Sequence, residues 1–244
     1  VDRKPGGCVK TINYFTKYID YSMKLAGVLP GDLSGIKIIM DFLSGTAGYE
    51  FTYAFNIAGA DVTTRNLVPN GFFPSGEPNP VIRKSIQPTL EMLTKGEYQF
   101  GFCFDGDGDR MDIYDSDGVQ LSPCFNASII ATRMKEIFRN TFEENFLPHF
   151  YADLKANPLA IIELAKNGFD VHMIRNGHSQ IKHSLMNNFR KRFIGAVEES
   201  GHYYLNFPLC IEDNEGAFAA TENTLFFGLL TAKMWHNNPE KYNE

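Results

Sequence analysis

Short apolar runs alternate with amphipathic stretches along this chain, and the alternation occurs twice. In the first half, IKIIMDF (36–42), the alternating segment 61–67 and YQFGFCF (98–104) read as strands. Between them lie helical patterns. Val9, Ile12, Phe15, Ile19, Met23 and Ala26 recur at helical spacing and predict a helix over 9–29, stopped by Pro30-Gly31. A second helix is expected over 49–58, with Tyr49, Tyr53 and Ile57 on one face, and a third over 81–94, with Ile82, Ile86, Leu90 and Leu93 inward. RMDIYDSDGVQLS (110–122) reads as a hairpin turned at Ser116-Asp117-Gly118. The second half repeats the grammar. Helix 126–140 precedes strand 149–154, helix 158–167 capped by Asn157-Pro158, strand 169–174, helix 179–193, strand 193–197, a loop, and a helix from about 215 to 235. Strand–helix alternation buries a sheet on both faces. The expectation is an α/β fold of two three-layer αβα domains with mainly parallel mixed sheets, divided as 1–123 and 124–244, each half with its own core pattern.

Composition narrows the function classes. A net charge of −6 with no basic stripe argues against nucleic acid as a partner. No stretch reaches the ~18–20 consecutive apolar residues of a membrane span, so no membrane association is expected. Cys8, Cys103, Cys124 and Cys210 form no C-x-x-C pair. They suggest neither a zinc site nor a disulfide framework, and reduced buried thiols in a cytoplasmic protein are the simplest reading.

The strand 98–104 runs directly into DGDGDR (105–110). Ligands bind beyond the carboxyl ends of strands in open α/β sheets. Gly106 and Gly108 remove bulk and let Asp105, Asp107 and Asp109 converge. Three convergent carboxylates repel one another unless a cation sits among them, and an all-oxygen set suits Mg²⁺ or Ca²⁺. Arg110 beside such an ion would neutralise phosphoryl oxygens. An EF-hand loop counted from Asp105 would need Gly and Glu where Arg110 and Ser116 stand, so that alternative fails. A phosphatase with Asp105 as nucleophile and Asp107 as its partner remains compatible with the local sequence.

Three further segments carry weaker signals. RNGHSQIK (175–182) places His178 before a helix, with Ser179 as its expected N-cap and Lys182 in its first turn, an arrangement that attracts anions. An ordinary capped helix explains Ser179 equally well. VEESGHYY (197–204) crowds Glu198, Glu199, Ser200 and His202 into a loop suited to sugar hydroxyls, although a polar surface loop has the same composition. YADLKANP (151–158) puts Asp153 and Lys155 at another strand end, where a lysine can contact phosphate or carry a proton.

Together these stretches resemble the α-D-phosphohexomutase family, which includes phosphoglucomutases and phosphomannomutases. DGDGDR (105–110) matches its metal loop. EESGH (198–202) is similar to its G-E-x-S-G-H sugar loop, with Val197 at the usual first Gly. NGHSQIK (176–182) resembles G-H-S-x-x-K, and NGFFPSGEPNP (70–80) resembles a D-G-x-F-P…P-x-P loop. The resemblance implies Mg²⁺ on Asp105, Asp107 and Asp109, and Arg110 on the phosphoryl group. It implies Glu198 and Ser200 on sugar hydroxyls, with His178, Lys155, Lys182 and His202 lining a cleft for a hexose phosphate. It also implies four domains, with a phosphoserine in the first and a phosphate loop like R-x-S-G-T-E-P in the fourth. Neither segment is found in this sequence, so the expected reading is domains two and three of a mutase, a fragment unable to run the cycle alone, its first and fourth domains being missing partners. A non-catalytic sugar-phosphate-binding module and a metal-dependent phosphatase using Asp105 are the alternatives.

Overall fold

The structure is a computed structural model that describes residues 7–143, 145–211 and 217–242. The first half runs α1 (Phe15–Ala26), β1 (Lys37–Asp41), α2 (Gly48–Ile57), β2 (Asp61–Arg65), α3 (Arg83–Lys95), β3 (Phe100–Phe104), β4 (Met111–Asp115) and β5 (Gln120–Leu121). The second runs α4 (Pro123–Ile137), β6 (His149–Asp153), α5 (Pro158–Lys166), β7 (Asp170–Ile174), α6 (His178–Asn188), β8 (Phe193–Val197), β9 (Tyr203–Pro208), β10 (Phe218–Thr221) and α7 (Thr224–Asn237).

Each half builds one mixed five-stranded sheet, in the orders β2-β1-β3-β4-β5 and β10-β9-β8-β6-β7. The parallel part of each is a block of three strands, and the other two strands are added antiparallel. Helices cover both faces of both sheets. Along β1 and β3 the side chains alternate: Ile38, Met40, Phe100, Phe102 and Phe104 face one layer, while Ile39 and Cys103 pack under Ile86, Leu90 and Leu93 of α3. In the second sheet, α6 covers one face through Ile181 and Leu185.

The opposite faces of the two sheets do not close separate cores. One buried cluster runs from Ile38, Phe55 and Phe102 of the first half through Leu225, Phe226 and Trp235 of α7 to Phe150, Ile194 and Leu205 of the second. Helix α7 lies between the halves. Gly228 of α7 sits so close to α2 that a Cβ would lie 2.8 Å from the Phe51 ring. The indole of Trp235 stacks on Phe100 at 4.5 Å and on Tyr242 at 4.2 Å. Asn223 caps α7 by accepting from Phe226 N–H, and the same carbonyl oxygen accepts from the Tyr18 hydroxyl of α1 at 3.0 Å.

Several local expectations change. Helix α1 begins at Phe15, whose N–H is taken by the Asn13 side chain at 2.9 Å. Val9 and Ile12 are left outside it and exposed. On α2, Tyr49 and Tyr53 are half exposed, and Phe51, Ala54 and Phe55 turn inward. The expected helix start near 215 falls partly outside the described residues. Thr224 begins α7, and the segment before it is the edge strand β10. The segment after β8 read as a loop contains β9. Of the four thiols, Cys103 and Cys124 are buried, while Cys8 and Cys210 are exposed.

A core shared by both sheets predicts joint unfolding. Trp235→Ala, which removes the ring between Phe100 and Tyr242, should destabilise the chain by about 3–5 kcal/mol. Urea titrations followed by circular dichroism should still show a single transition for both halves. Two resolved transitions in the parent chain would contradict the shared core.

Candidate active site

Phe104 ends β3 in an aromatic cluster, stacked on Phe42 at 5.0 Å and against Phe51 at 4.4 Å. The next residue, Asp105, is therefore held at a fixed strand end. The loop it opens is clamped from two sides. Thr46 N–H donates to the Gly106 carbonyl at 3.0 Å, and Gly106 N–H donates to the Pro78 carbonyl at 3.1 Å. Gly45 passes so near that a Cβ there would lie 2.5 Å from the Gly106 carbonyl oxygen. The NGFFPSGEPNP segment is thus part of this site, and its Asn79 accepts from the Arg110 guanidinium at 3.2 Å. Gly108 has a φ of +75° and lies against Ala47, a position where a side chain is both strained and blocked.

The loop brings one carboxylate oxygen from each of Asp105, Asp107 and Asp109 within 4.8 Å of one another. Their surroundings differ. Asp105 is buried and accepts from Arg110 Nε at 2.7 Å and from Gly108 N–H at 3.0 Å. Burial raises its pKa, with the Asp109 charge adding to the rise and Arg110 opposing it. Asp107 is exposed at the tip. Asp109 is held below the usual carboxylate range by His202, whose Nε2 lies 3.5 Å away.

The EESGH turn comes from the other sheet and is sewn to this loop by backbone. Met111 N–H donates to the Gly201 carbonyl at 3.0 Å, and Arg110 and His202 pair as an antiparallel bridge. Gly201, at φ +93°, approaches so closely that a Cβ would lie 2.9 Å from Asp112 Oδ1. His202 consequently stands between two acids, with Nδ1 3.0 Å from Ser200 Oγ and 3.4 Å from Glu198 Oε2. Burial pulls its pKa down, but Asp109 and Glu198 outweigh that and the net shift is upward. Glu198 is buried and accepts from Gly177 N–H at 2.9 Å and from the Tyr204 hydroxyl. That first bond fixes the start of α6 relative to the EESGH turn.

The remaining expected residues are placed less uniformly. Lys155 is exposed beyond β6, and its N–H donates to Asp153 at 3.2 Å. His178 is exposed at the first position of α6. Gly177, with a φ of +136°, stands where Ser179 was expected to cap, so Ser179 lies inside the helix and Lys182 falls in its second turn. Lys182 is already paired with Glu222 at 2.8 Å, so an anion there would have to compete with a carboxylate.

Three acids take places that the sequence alone did not assign, and one of them, Asp112, it did not single out at all. Glu199 turns away from the cleft to accept from Ser122, the N-cap of α4, at 2.8 Å. Asp153 was noted for its position alone. It is buried, and burial raises its pKa, with the Glu198 and Glu199 charges adding to that. Asp112, inside the predicted hairpin, is fully buried with neither carboxylate oxygen hydrogen-bonded among the described residues. Burial pushes its pKa up to about 7, with Arg110 opposing and Asp105 reinforcing the rise. An acid at a non-turn hairpin position, within a strand otherwise buried, was the available signal. A groove of about 1090 Å³ lies elsewhere, among residues such as Gly27 after α1, Arg133 of α4 and Lys233 of α7, and touches none of these groups.

Residues 16–118 match the family described as phosphoglucomutase/phosphomannomutase, alpha/beta/alpha domain II. A phosphomannomutase from Escherichia coli is 25% identical over 215 residues, which are 86% of this chain and 45% of that protein. A phosphoglucomutase/phosphomannomutase family protein from Burkholderia thailandensis superposes with a TM-score of 0.70 at 21% identity, over 92% of this chain and 44% of that one. An N-acetylphosphoglucosamine mutase from Aspergillus fumigatus, in complex with glucose 1,6-bisphosphate, gives 0.61 at 16% identity, over 93% and 47%. The chain thus spans less than half the length of these relatives.

Asp112 yields a pH prediction. The unfolded carboxyl loses its proton near pH ~3.9, whereas the folded one keeps it to about 7. The folded state therefore binds more protons across that window, and stability falls as pH rises through it. Asp112→Asn should flatten the slope and leave the variant more stable than the parent above pH 7, by a few kcal/mol at about 1.4 kcal/mol per pK unit. Urea unfolding of both chains at several pH values checks this; parallel slopes would refute it.

Proposed function

We propose, because this chain belongs to the α-D-phosphohexomutase family, that it forms the metal- and sugar-binding core of an enzyme that interconverts hexose 1- and 6-phosphates. The observation that carries this reading is the sewing together of DGDGDR and EESGH by the Met111–Gly201 hydrogen bond. A phosphate subsite and a polyol subsite then lie side by side.

Three converging carboxylates form an all-oxygen donor set whose mutual repulsion a hard divalent ion relieves, so the residues fit Mg²⁺. Bound by Asp105, Asp107 and Asp109, Mg²⁺ would supply Lewis-acid polarisation to a phosphoryl group. Arg110 is anchored through Nε to Asp105 and through Nη1 to Asn79, which orients the guanidinium beside that position. Glu198 keeps acceptor capacity after its two bonds, since a carboxylate has about four lone-pair sites, and can hold a pair of sugar hydroxyls. Ser200 and His202 border it as donor and acceptor. His178, which follows the Gly177 bonded to Glu198, and Lys155, just past β6, are assigned to the substrate cleft, and Lys182 to phosphate once Glu222 releases it.

In this reading the phosphoserine that exchanges phosphate with the sugar lies outside these 244 residues. Among the described residues no helix is long and apolar enough to cross a membrane. The phosphatase alternative asks Asp105 to attack phosphorus. Its burial and its bonds to Arg110 and Gly108 argue against that.

Calorimetric titration should show Mg²⁺ binding that Asp107→Asn weakens by at least about tenfold, the loss typical even of an outer-shell partner. Glucose 1-phosphate should bind without sustained conversion by this polypeptide alone. Steady formation of the 6-phosphate would refute the incomplete cycle. Phosphate release abolished by Asp105→Asn would favour the phosphatase, and failure to bind both Mg²⁺ and sugar phosphate would refute the core assignment.

A further inference from the structure

A second cluster of ligating atoms lies at the other end of the second sheet. In the parallel register of β6 and β7, His149 stands opposite Asp170 and Tyr151 opposite His172. Side chains two apart share a face, so His149, Asp170 and His172 project on one side. His149 Nδ1 lies 2.8 Å from His172 Nε2. Asp170 Oδ2 lies 3.1 Å from the first nitrogen and 3.3 Å from the second.

These three atoms make a triangle of nearly equal edges. A tetrahedral ion with bonds of about 2.0–2.1 Å places its ligand atoms roughly 3.3 Å apart, close to the observed 2.8–3.3 Å. Hydrogen bonding serves the triangle only in part, because one N–H cannot point along two edges at once and at least one of the three close pairs is left without a bonding proton. The rings are also fixed in place. Both pack on Phe193, at 4.9 and 4.8 Å between centroids. All three side chains are part-exposed, which leaves a fourth position open to solvent.

We propose that His149, Asp170 and His172 bind a late first-row divalent ion of the zinc class, with water as the fourth ligand. Two imidazole nitrogens and one carboxylate favour zinc, nickel, cobalt or copper over magnesium, whereas the DGDGDR oxygens favour the reverse. The cluster lies at the amino ends of β6 and β7, whereas Asp153 closes β6 and Lys155 lies past its carboxyl end. A five-residue strand separates the sites by ~13 Å at 3.3 Å per residue. The ion would join the edge strand β7 to its neighbour from outside the cleft.

Cobalt is the probe. The tag-free chain, stripped with chelator and kept in excess Mg²⁺ to occupy the oxygen loop, is titrated with Co²⁺ and followed by visible absorption. The expected result is a saturable set of d–d bands of tetrahedral intensity, displaced by Zn²⁺. His172→Gln should abolish them, and Asp170→Asn, at a half-exposed position that tolerates change, should weaken Co²⁺ binding by at least about tenfold. His183→Gln, a histidine on the surface of α6, should leave the bands intact, as should Asp107→Asn. Absence of bands in the parent chain, or their survival in both the His172 and Asp170 variants, would overturn the proposal.

Discussion

A single backbone hydrogen bond, from Met111 N–H to the Gly201 carbonyl, fixes the relation on which this site depends. Met111 opens β4 of the first sheet, and Gly201 lies in the turn between β8 and β9 of the second. Bringing them within bonding distance requires glycine at 201, since its left-handed backbone and the nearby Asp112 leave no room for a side chain. Once the bond forms, His202 has one nitrogen toward Asp109 and the other toward Ser200 and Glu198. The carboxylate loop and the EESGH turn then share an imidazole, and a change at either is felt by the other.

The site concentrates negative charge to a degree that stability alone would not select. Asp105, Asp112, Asp153 and Glu198 are all buried, and Asp107, Asp109 and Glu199 lie beside them. The cations set against them are Arg110 and, when protonated, His202. Folding thus carries an electrostatic cost at this place, offset by the aromatic layers beneath, where Phe42, Phe51 and Phe104 pack in mutual contact. Local violation of the rules that stabilise the rest of a fold is characteristic of binding sites, which gain the missing interaction from a ligand.

Much of this was legible in the residues. Period and punctuation placed the strands β1, β3 and β6 and the helices between them, and strict Asp-Gly alternation after an aromatic strand marked the loop where three carboxylates converge. What escaped was whatever depends on a distant partner. The inward face of α2 could not be told from its outward face, because Tyr49 and Phe51 are both aromatic and the choice is made by α7. β9 is buried along its whole length and shows no alternation for a period of two to detect. Gly177 took the place of Ser179 at the start of α6 because Glu198, from another turn, anchors its N–H. Lys182 read as a free cation until Glu222 was brought beside it. The His149–Asp170–His172 triangle exists only through strand register, which no single segment records.

The shared cluster between the sheets has a mechanical corollary. Gly228 against Phe51, and Trp235 against Phe100, leave no plane along which the halves could part without exposing aromatic surface. Among the described residues no hinge separates the carboxylate loop from the EESGH turn. They hold one spacing, like the two jaws of a fixed gauge, so whatever lodges between them meets a gap whose width does not change.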